Sequence, residues 1–281
     1  HTVNASFASS DSWAILSEIE KSIKAKIEAV GTPLKDWDIQ INYGIKTGCN
    51  EAFIIDSIKH DEILNNCTTE EERLKTAELI RPILRGRDIY KYGYNWDNLW
   101  LINTHNGIKE RLERIHIEDY PSIKQHLDFY INEINSRTDK GDTPYNLRNC
   151  AYMDEFSKPK IVWGNLNTSG NFAIAPEGMF INAPACMLVP GNNYLLAVLN
   201  SKIADYYIRT LGVVRNGGFF EYKPMFIEQI PIPKITEEQE AQIDTILSSS
   251  LSMVEKDAKI EKMIEAIYGL SEEEITFLHN Q

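Results

Sequence analysis

Apolar residues at Trp13, Ile15, Leu16, Ile19, Ile23, Ile27 and Val30 recur at spacings near three and four, with Glu and Lys between them. The pattern predicts an amphipathic helix over Ser10 to Val30, opened at Asp11 or Ser12 and ended by Gly31-Thr32-Pro33. A second helix is predicted from Thr69 to Leu79, where Thr68 to Glu72 supply the hydroxyls and carboxylates that suit a helix N-terminus. Ile108 to Ser136 reads as two helical segments parted by Asp119-Tyr120-Pro121-Ser122, with Ser122 as cap, and Tyr194 to Thr210 as one apolar helix ending near Gly212. Shorter apolar runs predict strands at Ala52 to Ile55, Trp100 to Asn103, Lys160 to Trp163 and Phe172 to Ile174. Arg137 to Thr143 reads as a polar linker, and Phe226 to Pro233 as an extended exit into a helical C-terminus. The sum is a mixed α/β (α+β) fold, with a twisted β-rich region, a helical spacer and C-terminal helices. It divides into a connecting helix (1–36), a main domain (37–234) and an acidic helical segment (235–281).

Composition narrows the class. With 281 residues, 43% hydrophobic and 25% charged, the chain can bury a substantial core. Apolar runs such as Ile181 to Pro190 are broken well short of a membrane span and no signal-like segment opens the chain, so a cytoplasmic protein with no membrane partner is expected. Cys49, Cys67, Cys150 and Cys186 lie far apart with no Cys-x-x-Cys pair, which argues against a zinc module or a disulfide framework. His116 and His126, ten residues apart across a proline, lack metal-ligand spacing as well. The net charge of −12 opposes nonspecific binding to nucleic acid, but its distribution weakens that objection. Residues 235–281 hold 11 acidic residues against 3 lysines, which leaves only −4 on residues 1–234 and room for a basic face.

Three stretches carry candidate chemistry. In Tyr43 to Asp56, two glycines bracket Lys46 and Thr47 ahead of an apolar run, a turn that serves structure or presents N–H groups, an ammonium and a hydroxyl to a phosphate. Asn50 lies beside it. Ile80 to Tyr92 is the most basic block: Arg85, Arg87 and Lys91 adjoin Tyr90, Tyr92 and Tyr94, donors for phosphates beside flat rings for bases or sugars, or simply a surface loop. Trp163, Asn165, Asn167, Thr168 and Asn171, then Arg215, Asn216, Phe219 and Lys223, offer the amide and guanidinium donor-acceptor pairs that read base edges, although Asn and Gly are also turn residues. A nuclease alternative rests on Asp205 followed by Glu221-Tyr222-Lys223, which is similar to an Asp…Glu-x-Lys metal motif. A third alternative is a protein-interaction module with the acidic tail as a docking element.

Five blocks occur in an order that resembles one family: Gly44-Ile45-Lys46-Thr47-Gly48 with Asn50 to Asp56, Ile83 to Ile89, Pro159 to Val162, Leu199 to Ile203, and Ile230-Pro231-Ile232-Pro233. They look like the TaqI-like C-terminal specificity domain, the target recognition domain of adenine-specific DNA methyltransferases and of Eco57I-like restriction-modification enzymes. Ile267 to Ile275 also resembles the end of such proteins. The resemblance implies a sequence-specific double-stranded DNA-binding domain that positions duplex for a methyltransferase domain of the same polypeptide. That family's catalytic Asn/Asp-Pro-Pro-Tyr/Phe motif and glycine-rich cofactor loop are missing from these 281 residues. No catalytic residue, metal or cofactor is therefore expected in this chain, and S-adenosylmethionine, with magnesium if the parent also cleaves DNA, is implied only for the parent. Lys46, Thr47, Arg85, Arg87 and Lys91 are expected to hold phosphates, and Trp163 to Asn171 with Arg215 to Lys223 to read bases.

Overall fold

The computed structural model describes residues 16–212, 214–215 and 217–281, and of Val214 the backbone alone. Its centre is a four-stranded antiparallel sheet in the order Phe172–Ala175, Lys160–Trp163, Cys186–Val189, Gln40–Tyr43. Side chains alternate across a strand, so each strand serves two faces. One face sends Val162, Ala173, Ala175, Met187 and Val189 into a core with Phe53, Ile83, Leu101, Leu127 and Phe180. The other sends Ile161, Trp163, Phe172, Cys186 and Leu188 into a second core with Ile23, Ile27, Leu195, Ile208, Ile243 and Ile264. The sheet is a wall shared by two cores, which is why its inner strands read as continuous apolar runs rather than alternating ones. Lys160 breaks the run yet is fully buried, because its ammonium donates to the carbonyls of Phe156, Pro176 and Met179 at 3.0–3.1 Å. Burial pulls its pKa down to about 8.

The first core also holds a mixed sheet in which Phe180–Ile181 runs parallel to Ile80–Leu84, followed antiparallel by Trp100–Ile102 and Ile54–Ile55. The second core is closed by helices from both ends of the chain: Glu18–Val30, Asn193–Leu199, Lys202–Leu211, Glu237–Ser248, Met253–Tyr268 and Glu272–His279. The surplus of acid in the C-terminal helices has a local cause. Glu237, Glu238 and Glu240, and later Glu272, Glu273 and Glu274, occupy first turns, where carboxylates meet the positive end of the helix dipole. No described helix is long and apolar enough to cross a membrane, and all four cysteines are free.

The predicted elements are corrected at several points. The first described helix starts at Glu18, capped by Ser17 in a capping box with Glu20, whereas the caps expected at Asp11 or Ser12 lie outside the described residues. Asn50–Phe53 is a turn of helix, so the strand after the glycine turn is only Ile54–Ile55. Helix Ser57–Asn65, opened by Asp56 accepting from the Lys59 amide at 2.8 Å, escaped prediction because its apolar periodicity is weak. No helix spans Ile108 to His116. Gly107 and Glu110 sit at positive φ, and the chain doubles back through an Ile108–Leu112 bridge. The helix there runs Pro121–Asp128 from a Tyr120 cap, and Ser122 inside it donates to Glu72 at 2.8 Å. The apolar run from Tyr194 is two helices, Asn193–Leu199 and Lys202–Leu211, separately capped by Asn192 and Ser201. The exit from Phe226 holds a turn of helix, Pro224–Ile227, before strand Pro231–Pro233 pairs with Gly31–Pro33.

Candidate nucleic-acid interface

At one end of the central sheet Tyr43, Cys186, Trp163 and Phe172 stand side by side in register. Every connection at that end is a loop: turn 44–49 leaves Tyr43, loop 164–171 joins Trp163 to Phe172, and segment 182–185 enters Cys186. The antiparallel hairpin Val214–Arg215 and Phe219–Glu221 pairs onto Leu166–Asn167. Two stretches about 50 residues apart thus become one small sheet. The arginine block joins them through a close backbone approach. A Cβ on Gly86 would stand 3.1 Å from the Gly164 Cα, a tight fit, and a Cβ on Gly44 would stand 2.4 Å from the Ile181 carbonyl oxygen, so glycine is required at Gly44.

The cations at this end come in a repeated arrangement. Asp139 bridges Lys46 at 2.8 Å and Arg148 at 3.1 Å, while Glu221 bridges Lys223 at 2.7 Å and Arg215 through its guanidinium Nε, also at 2.7 Å. Each carboxylate compensates one of its two partners, so each triad carries a net +1. Hydrogen bonds from Lys46 hold the Asp139 carboxyl below its usual range, and those from Lys223 and Arg215 do the same for Glu221. Lys46, Arg148 and Arg215 keep about half their side-chain surface in water. Tyr43, itself exposed, lies between the triads, close enough to Glu221 and Lys223 for both to act on its hydroxyl, whose pKa is raised chiefly by burial. A cleft of about 400 Å³ runs beside it, lined by Tyr43, Lys46, Arg148, Asn149, Tyr152 and Pro184.

The residues singled out from sequence divide into those presented to solvent and those spent on the fold. Lys46, Asn50, Arg87, Thr168, Arg215 and Phe219 are exposed, and Lys91, Asn165, Asn167, Asn171 and Lys223 are half-buried. Arg87 makes no ion pair among the described residues. Trp163 is fully buried, its indole N–H donating to the Tyr222 carbonyl at 2.7 Å, so it is a core residue and not a base reader. Thr47 is likewise buried, and its hydroxyl donates to Asn50 at 2.6 Å and accepts from the Cys49 amide at 3.2 Å. Arg85 forms a bidentate pair with buried Asp88 and reaches Asp97 at 2.7 Å, bonds that raise its pKa and lock the 86–88 turn. Lys91 pairs with Asp257 at 2.6 Å, on the side of the C-terminal helices, and the Tyr92 hydroxyl is buried there, which raises its pKa. The Asn167 amide donates to the Gly164 carbonyl at 2.7 Å. Asn216 lies outside the described residues.

Sequence reasoning missed Tyr43, Arg148, Asn149 and Tyr152, whose neighbourhood arises only when residues 145–152 fold against the 44–48 turn. It also mistook Arg137 for linker. That side chain is buried, lies 4.4 Å from the Phe53 ring and donates to the carbonyls of Thr47, Asp139, Pro144 and Asn146. Burial brings its pKa down to about 10. The nuclease alternative loses its foothold, because Asp205 is engaged by the Tyr222 hydroxyl, the Gly170 amide and Arg209, and Glu221 by two cations. His126, half-buried, hydrogen-bonds the Ala52 carbonyl at 2.9 Å, which accounts for it structurally.

The sequence profile of the TaqI-like C-terminal specificity domain matches residues 81–232, more than half of the chain. Among solved structures, the DNA complex of MmeI, a type IIL restriction-modification enzyme, superposes with a TM-score of 0.63 at 12% identity, over 88% of this chain and 35% of MmeI. BpuSI, a type IIG restriction endonuclease, superposes with a TM-score of 0.52 at 15% identity, over 89% of this chain and 32% of BpuSI. The chain thus spans about a third of the length of these proteins, and at such identities the likeness is one of fold. No curated protein sequence matches it.

Proposed function

The chain belongs to the family of TaqI-like C-terminal specificity domains, and we propose that it reads duplex DNA with the loop end of its central sheet. One observation carries this placement: turn 44–49, loop 164–171 and hairpin 214–221 converge there from distant sequence, with two cation-rich triads beside outward-facing polar side chains. Asp139 and Glu221 are largely shielded from water while Lys46, Arg148 and Arg215 are about half exposed, so each triad presents its cations, and not its carboxylate, to a DNA phosphate. The carboxylates hold the cations in place while each triad keeps its net +1 for the phosphate. Lys46, Arg148, Arg215, Lys223 and Arg87 would fix the register on the backbone, and the side chains of Thr168 and Asn171 would meet base edges. In a longer polypeptide this domain would position the duplex for an adenine-specific methyltransferase domain, to which S-adenosylmethionine, and magnesium if the enzyme cleaves, would belong.

Selection from a randomised duplex library tests the proposal. The chain is expected to enrich one sequence and to bind it less tightly as salt rises. Lys46→Ala with Arg148→Ala should weaken binding to every duplex alike and reduce the salt slope by about two. No enriched sequence and no salt-sensitive binding would overturn it.

A further inference from the structure

We infer that Asp205 and Arg209 are positioning residues for sequence readout, holding the backbone of loop 164–171 so that Thr168 and its exposed neighbours face outward; this rests on the DNA-facing role of the loop end. Asp205 Oδ1 accepts from the Gly170 amide at 3.1 Å and from the hydroxyl of Tyr222, and Oδ2 pairs with Arg209 Nη2 at 2.7 Å. The same Nη2 donates to the Thr168 carbonyl at 2.9 Å, and the guanidinium lies 4.3 Å from the centre of the Phe220 ring. The backbone N–H of Tyr222, a fully buried residue, donates a hydrogen bond to the Asn165 carbonyl at 2.8 Å. Just before the helix, Asn200 clips both backbone groups of Phe172, at 3.0 and 2.9 Å. Backbone atoms of residues 165, 168, 170 and 172 are thus fastened to the second core, while Leu166, Thr168 and Ser169 point to solvent. Phe220 pairs with Asn167, so the hairpin bearing Arg215 and Phe219 takes its register from the same anchor.

The anchor distinguishes two kinds of contact. A long, hydrated Lys or Arg follows a phosphate over a shift of an ångström, whereas a side chain reading a base edge loses its hydrogen bond over less. Loosening the anchor should therefore cost discrimination before it costs affinity. Helix Lys202–Leu211 is a firm base for it, capped by the Ser201 hydroxyl and by Glu261, which accepts from the Lys202 amide at 2.9 Å.

The test compares the wild-type chain with Asp205→Asn and with Arg209→Gln, on a library-selected duplex, its single-base-pair variants and an unrelated duplex over a range of salt. Hydrogen exchange is followed in parallel on the free proteins. Discrimination is expected to fall about 10-fold, with binding to the unrelated duplex within about twofold and the salt slope unchanged. Amides of residues 168–171 should exchange faster while strand Lys160–Trp163 stays protected. Should Asp205→Asn fail to fold, Arg209→Gln, on a partly exposed side chain, gives the same readouts. An equal loss on all duplexes with a smaller salt slope would make Arg209 a phosphate contact and overturn the inference. Unchanged exchange at residues 168–171 would overturn the anchoring itself, without any DNA. A wild-type chain that selects no duplex would instead sink the DNA-reading role, a separate outcome.

Discussion

Turn 44–49 and loop 164–171 leave the same end of the same sheet, yet their tips are held in different ways. The turn is tied to residues 181–185 through the backbone of Gly44 and Ile45, but its tip is closed by its own side chains and clamped by one buried arginine: Thr47 bonds Asn50 and Cys49, Gly48 adopts positive φ, and Arg137 takes the Thr47 carbonyl. Little of it is left to act outward except Lys46. The loop is held mainly by other elements through its backbone, with Asn167 turned back onto Gly164, which leaves Thr168 and Ser169 exposed. A polar, glycine-bracketed stretch can therefore be either a self-contained fastening or a platform, and the deciding fact is where its hydrogen bonds go.

The sharpest way to break this contrast is Arg137→Met, which removes the donor from four carbonyls. We expect about 3 kcal/mol lower stability in urea unfolding, with the 44–49 turn losing protection first. An unchanged midpoint would show that the clamp is dispensable. A smaller pair of effects separates the two segments directly. Thr47→Val should lower stability by about 1 kcal/mol and leave sequence preference intact. Thr168→Ala or Asn171→Ala should leave stability nearly unchanged and relax preference at one base pair by about 1–3 kcal/mol. Binding-site selection with each variant checks this, and preference lost in Thr47→Val would erase the distinction.

A further expected effect is a pH slope. Burial raises the Glu261 carboxyl to about 7, opposed by the Lys202 amide and by Lys91 and reinforced by Glu265 and Asp257. The folded chain thus keeps a proton that the unfolded chain, near 4.5, has released. The stability contributed by this group is complete below the unfolded value and is lost as pH rises through about 7. Because Glu261 caps the helix that anchors loop 164–171, that loop should lose exchange protection between pH 5 and 8 more than turn 44–49 does. Glu261→Gln should remove the difference, and identical slopes in wild type and variant would exclude Glu261 as its source.

Much of the scaffold was legible in the residues themselves. Lys160–Trp163 and Phe172–Ala175 announce strands buried on both faces, Thr69 and the three glutamates after it announce a helix start, and scattered cysteines announce free thiols, because these features depend on local propensity and burial. The ordered blocks from Gly44 to Pro233 pointed to the specificity-domain family, and residues 81–232 match it. The roles of individual polar side chains were not legible. Arg85, Arg87, Arg137 and Arg148 are the same residue type in similar polar surroundings along the chain, yet one locks a turn, one faces water, one is buried under four carbonyls and one shares Asp139 with Lys46. Burial and partners come from segments up to 90 residues away, as with Arg137 and Thr47, and only the packed tertiary structure decides them, since a guanidinium settles wherever its donors can be satisfied.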